Sequence, residues 1–277
     1  MHLHFIGTGS ILSAHMSASV LIDNKLLIDT PNGAMKAMWR DNLDPTTVDL
    51  CLITHFHADH FFDIVFLFLE QGLRKPRDSD LILIGLTGFE QRVEQLFELA
   101  YPGAWPGMKA KTRARFVEFD ESGGEWSGNG YTIRATATQH SVPSLGYLIT
   151  DQAGTRLGYT GDTVYCPAVE DLARDSSALV LDTTFHHSRT GHMGLDDVEA
   201  LADRWPALPL LTTHRDDDVT TSTRSTVLFP ADGDTFHLNP DGLATDQHDQ
   251  DTSHPTSPAK DLLGSGKATL DTVAGTS

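Results

Sequence analysis

Three histidines and one aspartate lie within six consecutive residues, 55–60, whose sequence is His-Phe-His-Ala-Asp-His. This segment directly follows the apolar run Leu50–Ile53, which has the length and composition of a buried strand. Imidazole and carboxylate groups bind divalent ions such as Zn²⁺, whereas structural zinc sites usually rely on cysteine thiolates. The chain has only two cysteines, Cys51 and Cys166, which excludes a cysteine-rich structural zinc site. The segment therefore predicts a metal site that keeps a coordination position open for chemistry.

The spacing within residues 55–60 predicts two metal positions. On a turn that leaves a strand, His55 and His57 can approach one ion from the same side. Asp59 and His60 then lie at the start of the next helix and face a second ion. Two ions need further ligands, which we expect from the ends of other strands. The candidates that lie beside other apolar runs are His140, Asp162 and His214.

The segments that must position these side chains alternate between apolar strand-like runs and amphipathic stretches. The predicted strands are Leu3–Ile6, Ser19–Ile22, Lys25–Ile28, Leu50–Ile53, Leu81–Ile84, Arg115–Phe119, Tyr131–Ala137, Gly146–Ile149, Arg156–Tyr159, Ala178–Leu181 and Leu208–Thr212. The predicted helices are Asp59–Gln71, Gly88–Ala100, Pro167–Arg174 and Gly194–Trp205. This alternation predicts one α/β domain over residues 1–240. Residues 241–277 are rich in Asp, Ser and Thr with few large apolar side chains, which predicts a disordered tail.

The composition is strongly acidic, with a net charge of −18 at pH 7. A protein that binds nucleic acid through its phosphates normally presents a basic surface, so this charge disfavours a long polyanionic partner. The first residues do not resemble a signal peptide, and the longest apolar run, Phe61–Leu69, is too short to span a bilayer. Two unclustered cysteines fit a reducing compartment. These features predict a cytoplasmic protein without a membrane partner.

Residues 55–60 match the H-x-H-x-D-H signature of the metallo-β-lactamase fold, and the other candidate ligands follow in the order typical of that family. Over about residues 3–220, the flanking sequences resemble its ribonuclease Z and phosphodiesterase branch. The segments that carry this resemblance are Phe5–Ser10, Leu27–Thr30, His140–Tyr147 and Gly161–Thr163. The resemblance implies a four-layer αββα sandwich. We expect Asp29, in the second of these segments, to pin the backbone or orient a ligand instead of binding an ion itself.

The resemblance also implies how the ligands divide between two divalent ions. Zn²⁺ is the default ion, and Mn²⁺ or Fe²⁺ fit the same ligands. One ion is then held by His55, His57 and His140. The other ion is held by Asp59, His60 and His214, and both ions are bridged by Asp162. A hydroxide between the ions would be the nucleophile, because metal-bound water loses its proton near neutral pH.

Two further segments resemble the ribonuclease Z pattern more narrowly. Leu181–Phe185 is similar to an acidic E-A-T-F-like segment, and Gly191–Met193 is similar to a later G-H-S-T segment. In that branch the histidine donates a proton to the leaving oxygen, and the acid orients the imidazole. The chain departs from the pattern by having Asp in place of Glu and Met193 in place of Ser. The catalytic residues that the resemblance implies are Asp59, Asp182 and His192.

The middle of the chain bears on the substrate. The tRNA-processing members of the branch carry a long arm rich in Gly and Lys, whereas residues 86–120 of this sequence offer only a helix-like stretch and a small basic patch. The patch consists of Lys109, Lys111, Arg113 and Arg115. Its small size and the acidic net charge favour a small-molecule or nucleotide-like phosphodiester over tRNA as the substrate. The resemblance also allows a homodimer.

Several other functions remain open on the sequence alone. The first is a ribonuclease Z-type endonuclease that processes the 3′ end of tRNA, and hydrolases of carboxylic esters, lactones, thioesters or β-lactams use the same metal ligands. A flavodiiron oxygen reductase would have Glu in place of His57 and a fused flavin domain, and neither is present. A metal-binding scaffold without turnover would result from the loss of the general acid. Asp182 and His192 favour a phosphodiesterase among these.

Overall fold

The computed structural model describes residues 1–74 and 77–244. Its strands in chain order are β1 (His2–Gly7), β2 (Ser19–Ile22), β3 (Leu26–Ile28), β4 (Leu50–Leu52), β5 (Leu81–Leu86), β6 (Ala114–Phe119), β7 (Gly124–Gly128), β8 (Tyr131–Thr138), β9 (Ser144–Asp151), β10 (Arg156–Tyr159), β11 (Ala178–Asp182), β12 (Leu210–Thr213), β13 (Val227–Leu228), β14 (Thr235–Asn239) and β15 (Gly242–Ala244). Its α-helices are α1 (Ala34–Arg40), α2 (Ala58–Phe61), α3 (Ile64–Arg74), α4 (Phe89–Ala100), α5 (Trp105–Thr112), α6 (Pro167–Asp175) and α7 (Leu195–Arg204). Within these two ranges, no helix has both the length and the apolar character needed to cross a membrane.

The strands form two sheets that pack face to face. The first sheet has the order β15-β14-β1-β2-β3-β4-β5-β6, and the second has the order β13-β12-β11-β10-β9-β8-β7. Side chains from both sheets share one apolar core, which includes Phe5, Leu52, Tyr147 and Val180. Helices α1, α3, α4 and α5 cover the outer face of the first sheet, and α6 and α7 cover that of the second. The layers are therefore helix, sheet, sheet and helix, which confirms the predicted αββα sandwich.

The strands next to the metal ligands are apolar on both faces. In β4, Leu50 and Leu52 face the core between the sheets, while Cys51 packs with the helices on the other side. In β11, Val180 faces the core between the sheets, and Leu179 and Leu181 pack with α6 and α7. Strands buried on both faces have no polar alternation to show. This explains why their sequences appear as short continuous apolar runs.

The predicted helix Asp59–Gln71 is interrupted in the structure. Helix α2 ends at Phe61 and α3 begins at Ile64. Near the break, the Asp63 carboxylate accepts hydrogen bonds from the backbone N–H groups of Gly33 and Met35. These groups belong to the start of α1, where the first backbone N–H groups lack partners within the helix. The break therefore satisfies the N-terminus of α1, a helix that the sequence pattern did not predict.

The C-terminal part of the described chain returns to the first sheet. Strand β14 pairs with β1, and β15 pairs with β14. Strand β15 thus places Gly242–Ala244, which lie in the predicted tail, within the first sheet. The predicted tail from residue 245 onward lies outside the described residues.

The strands that precede the candidate site residues direct their carboxyl ends to the same edge of the sandwich. In the first sheet, β3 and β4 run parallel. In the second sheet, β10, β11 and β12 run parallel, and β8 shares their direction because β9 is antiparallel to both β8 and β10. The residues at or after these ends include every predicted metal ligand and Asp182. The fold therefore gathers on one edge the side chains that the sequence marks as candidates for chemistry.

Candidate metal site

His55, His57 and His140 direct three ring nitrogens towards one another. The Nδ1 atom of His57 lies 2.9 Å from Nε2 of His55 and 3.2 Å from Nε2 of His140. His55 is fully buried behind the end of β4, whereas His57 and His140 are half-buried. Three converging imidazole nitrogens match the ligand arrangement of a zinc-type ion. The structure thus brings together the first predicted ligand set.

Asp59, His60 and His214 form a second cluster beside the first. Asp59 and His60 lie in α2, which begins directly after His57. The Oδ2 atom of Asp59 lies 3.6 Å from Nε2 of His60 and 3.5 Å from Nε2 of His214. All three residues are buried. The second predicted ligand set is therefore also assembled.

Asp162 places one carboxylate oxygen between the two clusters. Its Oδ2 atom lies 3.3 Å from Nε2 of both His60 and His214, and 3.8 Å from Nε2 of His55. The preceding Gly161 has a φ of +60°, and a Cβ there would lie 3.0 Å from the Thr54 side chain. Glycine therefore lets the chain deliver Asp162 from the end of β10 into the space between the sheets. This position fits the bridging role that the resemblance implies.

Two buried ring nitrogens, Nε2 of His60 and Nε2 of His214, have no hydrogen-bond partner within the described ranges. Buried polar atoms are nearly always paired, so two unpaired atoms that face the same carboxylate oxygen indicate a cation position. Burial alone would lower the pKa of His60, but the carboxylates of Asp162 and Asp29 raise it well above its ordinary value. Burial alone would raise the pKa of Asp162, but His214 and His60 lower it well below its ordinary value. The cluster thus favours positive charge at this point, and its residues fit a divalent metal ion.

Four of the predicted histidine ligands are also held from outside the cluster by their second ring nitrogen. These contacts join Nδ1 of His55 to Oγ1 of Thr54 at 3.1 Å, Nδ1 of His60 to Oδ2 of Asp29 at 2.9 Å, Nδ1 of His140 to the carbonyl of Gly191 at 2.8 Å, and Nδ1 of His214 to Oγ1 of Thr184 at 2.8 Å. A ring N–H that donates outward leaves the lone pair of Nε2 directed at the metal position. Each of these rings is therefore fixed in the orientation that metal binding requires.

Sequence reasoning identified only one of these outer partners in advance. Asp29 lies in a segment that carries the family resemblance, and the structure places it as the carboxylate that orients His60. Thr54 and Thr184 stand next to predicted site residues, and that adjacency is the signal that could have found them. The Gly191 carbonyl carries no side-chain signal, because any residue has a carbonyl.

Asp29 is the most constrained of the outer partners. It is fully buried and has a φ of +58°, a conformation that aspartate and asparagine tolerate better than most residues. Its Oδ1 atom accepts a hydrogen bond from the Thr54 backbone N–H at 2.8 Å, while its Oδ2 atom contacts His60. One carboxylate therefore fixes both the chain segment that carries the ligands and the ring of one of them.

Replacing Asp29 by asparagine is expected to weaken metal binding by about 10- to 100-fold, the usual effect of removing a partner that orients a ligand. The amide keeps the size and the backbone preference, but it loses the charge that holds the His60 ring. Titration of the protein with Zn²⁺ against a competing chelator measures this affinity. Asp23→Asn is the matched control, because Asp23 has a φ of 51° and accepts from the backbone N–H of His2 away from the cluster. Wild-type affinity in the Asp29 variant would contradict the assigned role.

Asp182 and His192 form a hydrogen-bonded pair beside the metal ligands. The Nδ1 atom of His192 lies 2.8 Å from Oδ2 of Asp182 and 3.9 Å from Oδ2 of Asp162. Asp182 is fully buried and accepts hydrogen bonds from the backbone N–H groups of Thr163 and Thr184. Burial alone would lower the pKa of His192, but the hydrogen bond to Asp182 raises it. The pair can therefore hold a proton close to the metal position.

Both departures from the ribonuclease Z pattern are accommodated in the structure. Asp182 reaches His192 although it is one methylene shorter than Glu. Met193, which stands in place of Ser, is fully buried in the core formed with α6 and α7. The His192 ring stacks on the His214 ring with a centroid distance of 5.1 Å and an interplanar angle of 7°. The imidazole of His192 is thus positioned directly against a predicted ligand.

The sequence profile described as a beta-lactamase superfamily domain matches residues 24–215, a range that contains every predicted metal ligand. The chain belongs to this superfamily. Ribonuclease Z of Methanosarcina acetivorans is 24% identical to it, over 77% of this chain and 87% of that protein. Among solved structures, the short form of human tRNase Z has a TM-score of 0.69 at 19% identity, covering 86% of this chain and 99% of that chain. A diphosphatase from the PhnP family has a TM-score of 0.68 at 19% identity, covering 86% of this chain and 98% of that chain.

Membership in the superfamily confirms three predictions from the sequence. The chain has the metallo-β-lactamase fold, it resembles ribonuclease Z and the phosphodiesterases of that fold, and it is a hydrolase. The superfamily also implies binding of divalent metal, which agrees with the clusters of histidine and aspartate at the strand ends.

Proposed function

We propose that the protein is a dinuclear metal-dependent phosphodiesterase that acts on small or nucleotide-like substrates. The observation that carries this proposal is the Asp182–His192 pair, with its 2.8 Å contact, placed beside the Asp162 oxygen that lies between the two ligand clusters. A phosphodiester needs its leaving oxygen protonated and the charge on its other oxygens neutralised. The site offers a residue for the first task and a cation position for the second.

In this proposal the ligand sets divide as the family resemblance implies. One ion would be held by His55, His57 and His140. The other would be held by Asp59, His60 and His214, and Asp162 would contact both. With Zn²⁺ as the default ion, the metals would supply an ionised water as the nucleophile at neutral pH and offset charge on the phosphate. Asp59 would contribute to catalysis by helping to hold the second ion.

His192 supplies the proton. Its Nδ1 atom is committed to Asp182, so Nε2 is the atom left to donate to the leaving oxygen. Asp182 in turn is fixed by two backbone N–H groups and by the Thr184 hydroxyl, which donates to its Oδ1 atom at 2.7 Å. The carboxylate therefore stays in place while the imidazole changes its charge.

The small basic patch supports a small substrate over tRNA. Lys109 pairs with Glu90, and Arg113 and Arg115 both pair with Asp80. The carboxylates of Glu90 and Asp80 offset two of the four positive charges of the patch, so it offers little free positive charge to a phosphate backbone. The net charge of −18 acts in the same direction. The runner-up function is a ribonuclease Z-type endonuclease, which the names of the relatives favour.

A substrate panel with metal analysis tests the proposal. Purified protein should contain about two divalent ions per chain, as such sites do when two ligand sets are complete. It should hydrolyse bis(p-nitrophenyl) phosphate faster than p-nitrophenyl acetate, a lactone or a thioester, and cleave a tRNA precursor weakly. Efficient cleavage of the tRNA precursor at its 3′ end would transfer the assignment to ribonuclease Z. Turnover of carboxylic esters alone would remove the phosphodiesterase assignment.

We further propose a cytoplasmic location for this hydrolase, with the predicted catalytic domain of residues 1–240 extended through β15 to Ala244 and an acidic tail after it. Both cysteines are free and buried, which fits a reducing compartment. A homodimer is also part of the proposal, because the resemblance allows one. Sedimentation of the purified full chain measures its oligomeric state.

A further inference from the structure

A cavity of about 380 Å³ opens beside the metal ligand His57. Its volume lies in the range of small-molecule sites, which is roughly 300 to 1,000 Å³. Its walls combine aromatic, aliphatic and charged side chains. The wall includes Phe56, Phe119, Arg92, Asp120, Glu121 and Val142. Because His57 belongs both to the cavity wall and to the first ligand set, a substrate bound at the metals extends into this cavity.

Arg92 is the one cation of the cavity wall. Its guanidinium lies over the Phe56 ring, 4.7 Å from the ring centroid, and no carboxylate in the described ranges pairs with it. Arg92 lies in the first turns of α4, whose start is fixed because Glu118 accepts from the backbone N–H groups of Gly88 and Glu90. In a chain with a net charge of −18, an arginine held against an aromatic ring and left without a carboxylate is available to a ligand.

The charges of the cavity wall distinguish between classes of ligand. Arg92 faces a wall that also carries the exposed carboxylates of Asp120 and Glu121. The two carboxylates outnumber the one guanidinium, so the wall has a net negative charge. A ligand that placed another phosphate group in the cavity, besides the phosphate at the metal site, would be repelled. A neutral, flat group that has both hydrogen-bond donors and acceptors complements this wall, and it can stack on Phe119 or on the guanidinium. A nucleobase has these properties.

The cavity also lies apart from the proton donor. The wall includes His57 but not His192. The group that leaves must be next to the residue that protonates its oxygen, so the group in the cavity is the substituent that stays on the phosphate. The cavity therefore selects the retained half of the diester.

We propose that this cavity binds the nucleoside of a nucleotidyl phosphodiester, with Arg92 as a specificity-determining residue for the base. The proposal rests on the phosphodiesterase function proposed above. It assigns the nucleoside to the retained side of the phosphate and the departing alcohol to the His192 side.

Two esters with the same leaving group test this inference. Thymidine 5′-(p-nitrophenyl phosphate) retains a nucleoside, whereas methyl p-nitrophenyl phosphate retains only a methyl group. We expect kcat/KM for the thymidine ester to exceed that for the methyl ester by at least about tenfold, the effect of one stacked base. Arg92→Ala should remove most of this preference, because it should lower kcat/KM for the thymidine ester far more than kcat/KM for the methyl ester. Arg156→Ala is the matched control, because Arg156 is an exposed arginine at the opposite end of β10 from Asp162.

Val142→Trp provides a second variant, which narrows the cavity and keeps the Arg92 side chain. It should also lower kcat/KM for the thymidine ester more than kcat/KM for the methyl ester. Equal kcat/KM values for the two esters in the wild type, or an unchanged preference in both variants, would overturn the inference. Absence of turnover of both esters would instead contradict the phosphodiesterase function itself. The two failures are therefore distinguishable.

Discussion

Replacing Asp162 by asparagine is expected to abolish binding of at least one metal ion and to lower kcat for bis(p-nitrophenyl) phosphate by about a thousandfold or more. Its Oδ2 atom lies 3.3 Å from the unpaired Nε2 atoms of both His60 and His214, so one substitution removes the charge at the centre of the site. A catalytic metal ion contributes several kcal/mol to transition-state stabilisation, and each 1.4 kcal/mol corresponds to a factor of about ten in rate.

Metal content per chain after dialysis, together with turnover, measures the effect of Asp162→Asn. Asp151→Asn is a suitable control, because Asp151 also accepts hydrogen bonds from backbone N–H groups, those of Ala153 and Thr155, in the turn at the far end of β10. The control should retain both metal and activity. Full metal content and near-normal turnover in the Asp162 variant would show that its carboxylate neither bridges nor binds an ion.

The part of the site that sequence could predict is the part fixed by short-range spacing. Residues 55–60 carry their ligands on a strand end, a turn and the first turn of a helix, so local geometry already limits where the side chains point. The apolar runs before His55 and Asp182 are recognisable as strands because helices and the opposite sheet cover both of their faces. The remaining candidate ligands, His140, Asp162 and His214, could be named from their positions beside other apolar runs, but only the family resemblance assigned them to particular ions, since each lies far along the chain from residues 55–60.

The elements that sequence reasoning missed are those whose structure depends on distant partners. Helix α1 is preceded by Gly33, which has a φ of +86° and supplies no side-chain cap, and the start of the helix relies on the Asp63 carboxylate instead. Helix α5 has no marked apolar face, and β7 is glycine-rich at both ends. Strands β14 and β15 are short and partly polar, and pairing with β1 is what places them in the sheet. No local pattern could have indicated these contacts.

The backbone around the metal site could not have been predicted either. Asp29 and His214 both adopt positive φ values, 58° and 52°. Residues other than glycine rarely adopt this backbone conformation. Such conformations have an energetic cost of about 1 to 3 kcal/mol each and persist where the surrounding contacts hold them. Here the Thr184 hydroxyl holds the ring of His214, and Thr54 and His60 hold the carboxylate of Asp29. Glycine would adopt these φ values more easily, but it would lack the carboxylate of Asp29 and the imidazole of His214 that contact the other residues of the site.

Replacing His192 by alanine is expected to produce a loss of activity that depends on the leaving group. Thymidine 5′-(methyl phosphate) must expel a strongly basic methoxide, and without a proton donor its turnover should fall by about 10²- to 10⁴-fold. Thymidine 5′-(p-nitrophenyl phosphate) expels a weakly basic phenolate that needs little protonation, so its turnover should fall by less than about tenfold. The two esters retain the same thymidine phosphate, so only the departing group differs between them.

The metal content of the His192 variant should stay at the wild-type level, because its Nδ1 atom is bonded to Asp182 and its role is to donate a proton. His187→Ala is the matched control, since His187 belongs to the same loop but its side chain is 85% exposed. Asp182→Asn should show the same dependence on the leaving group with a smaller loss, because the imidazole remains but loses the carboxylate that orients it. Equal losses for both esters would mean that His192 acts through binding or metal geometry, and the general-acid role would then belong to another group.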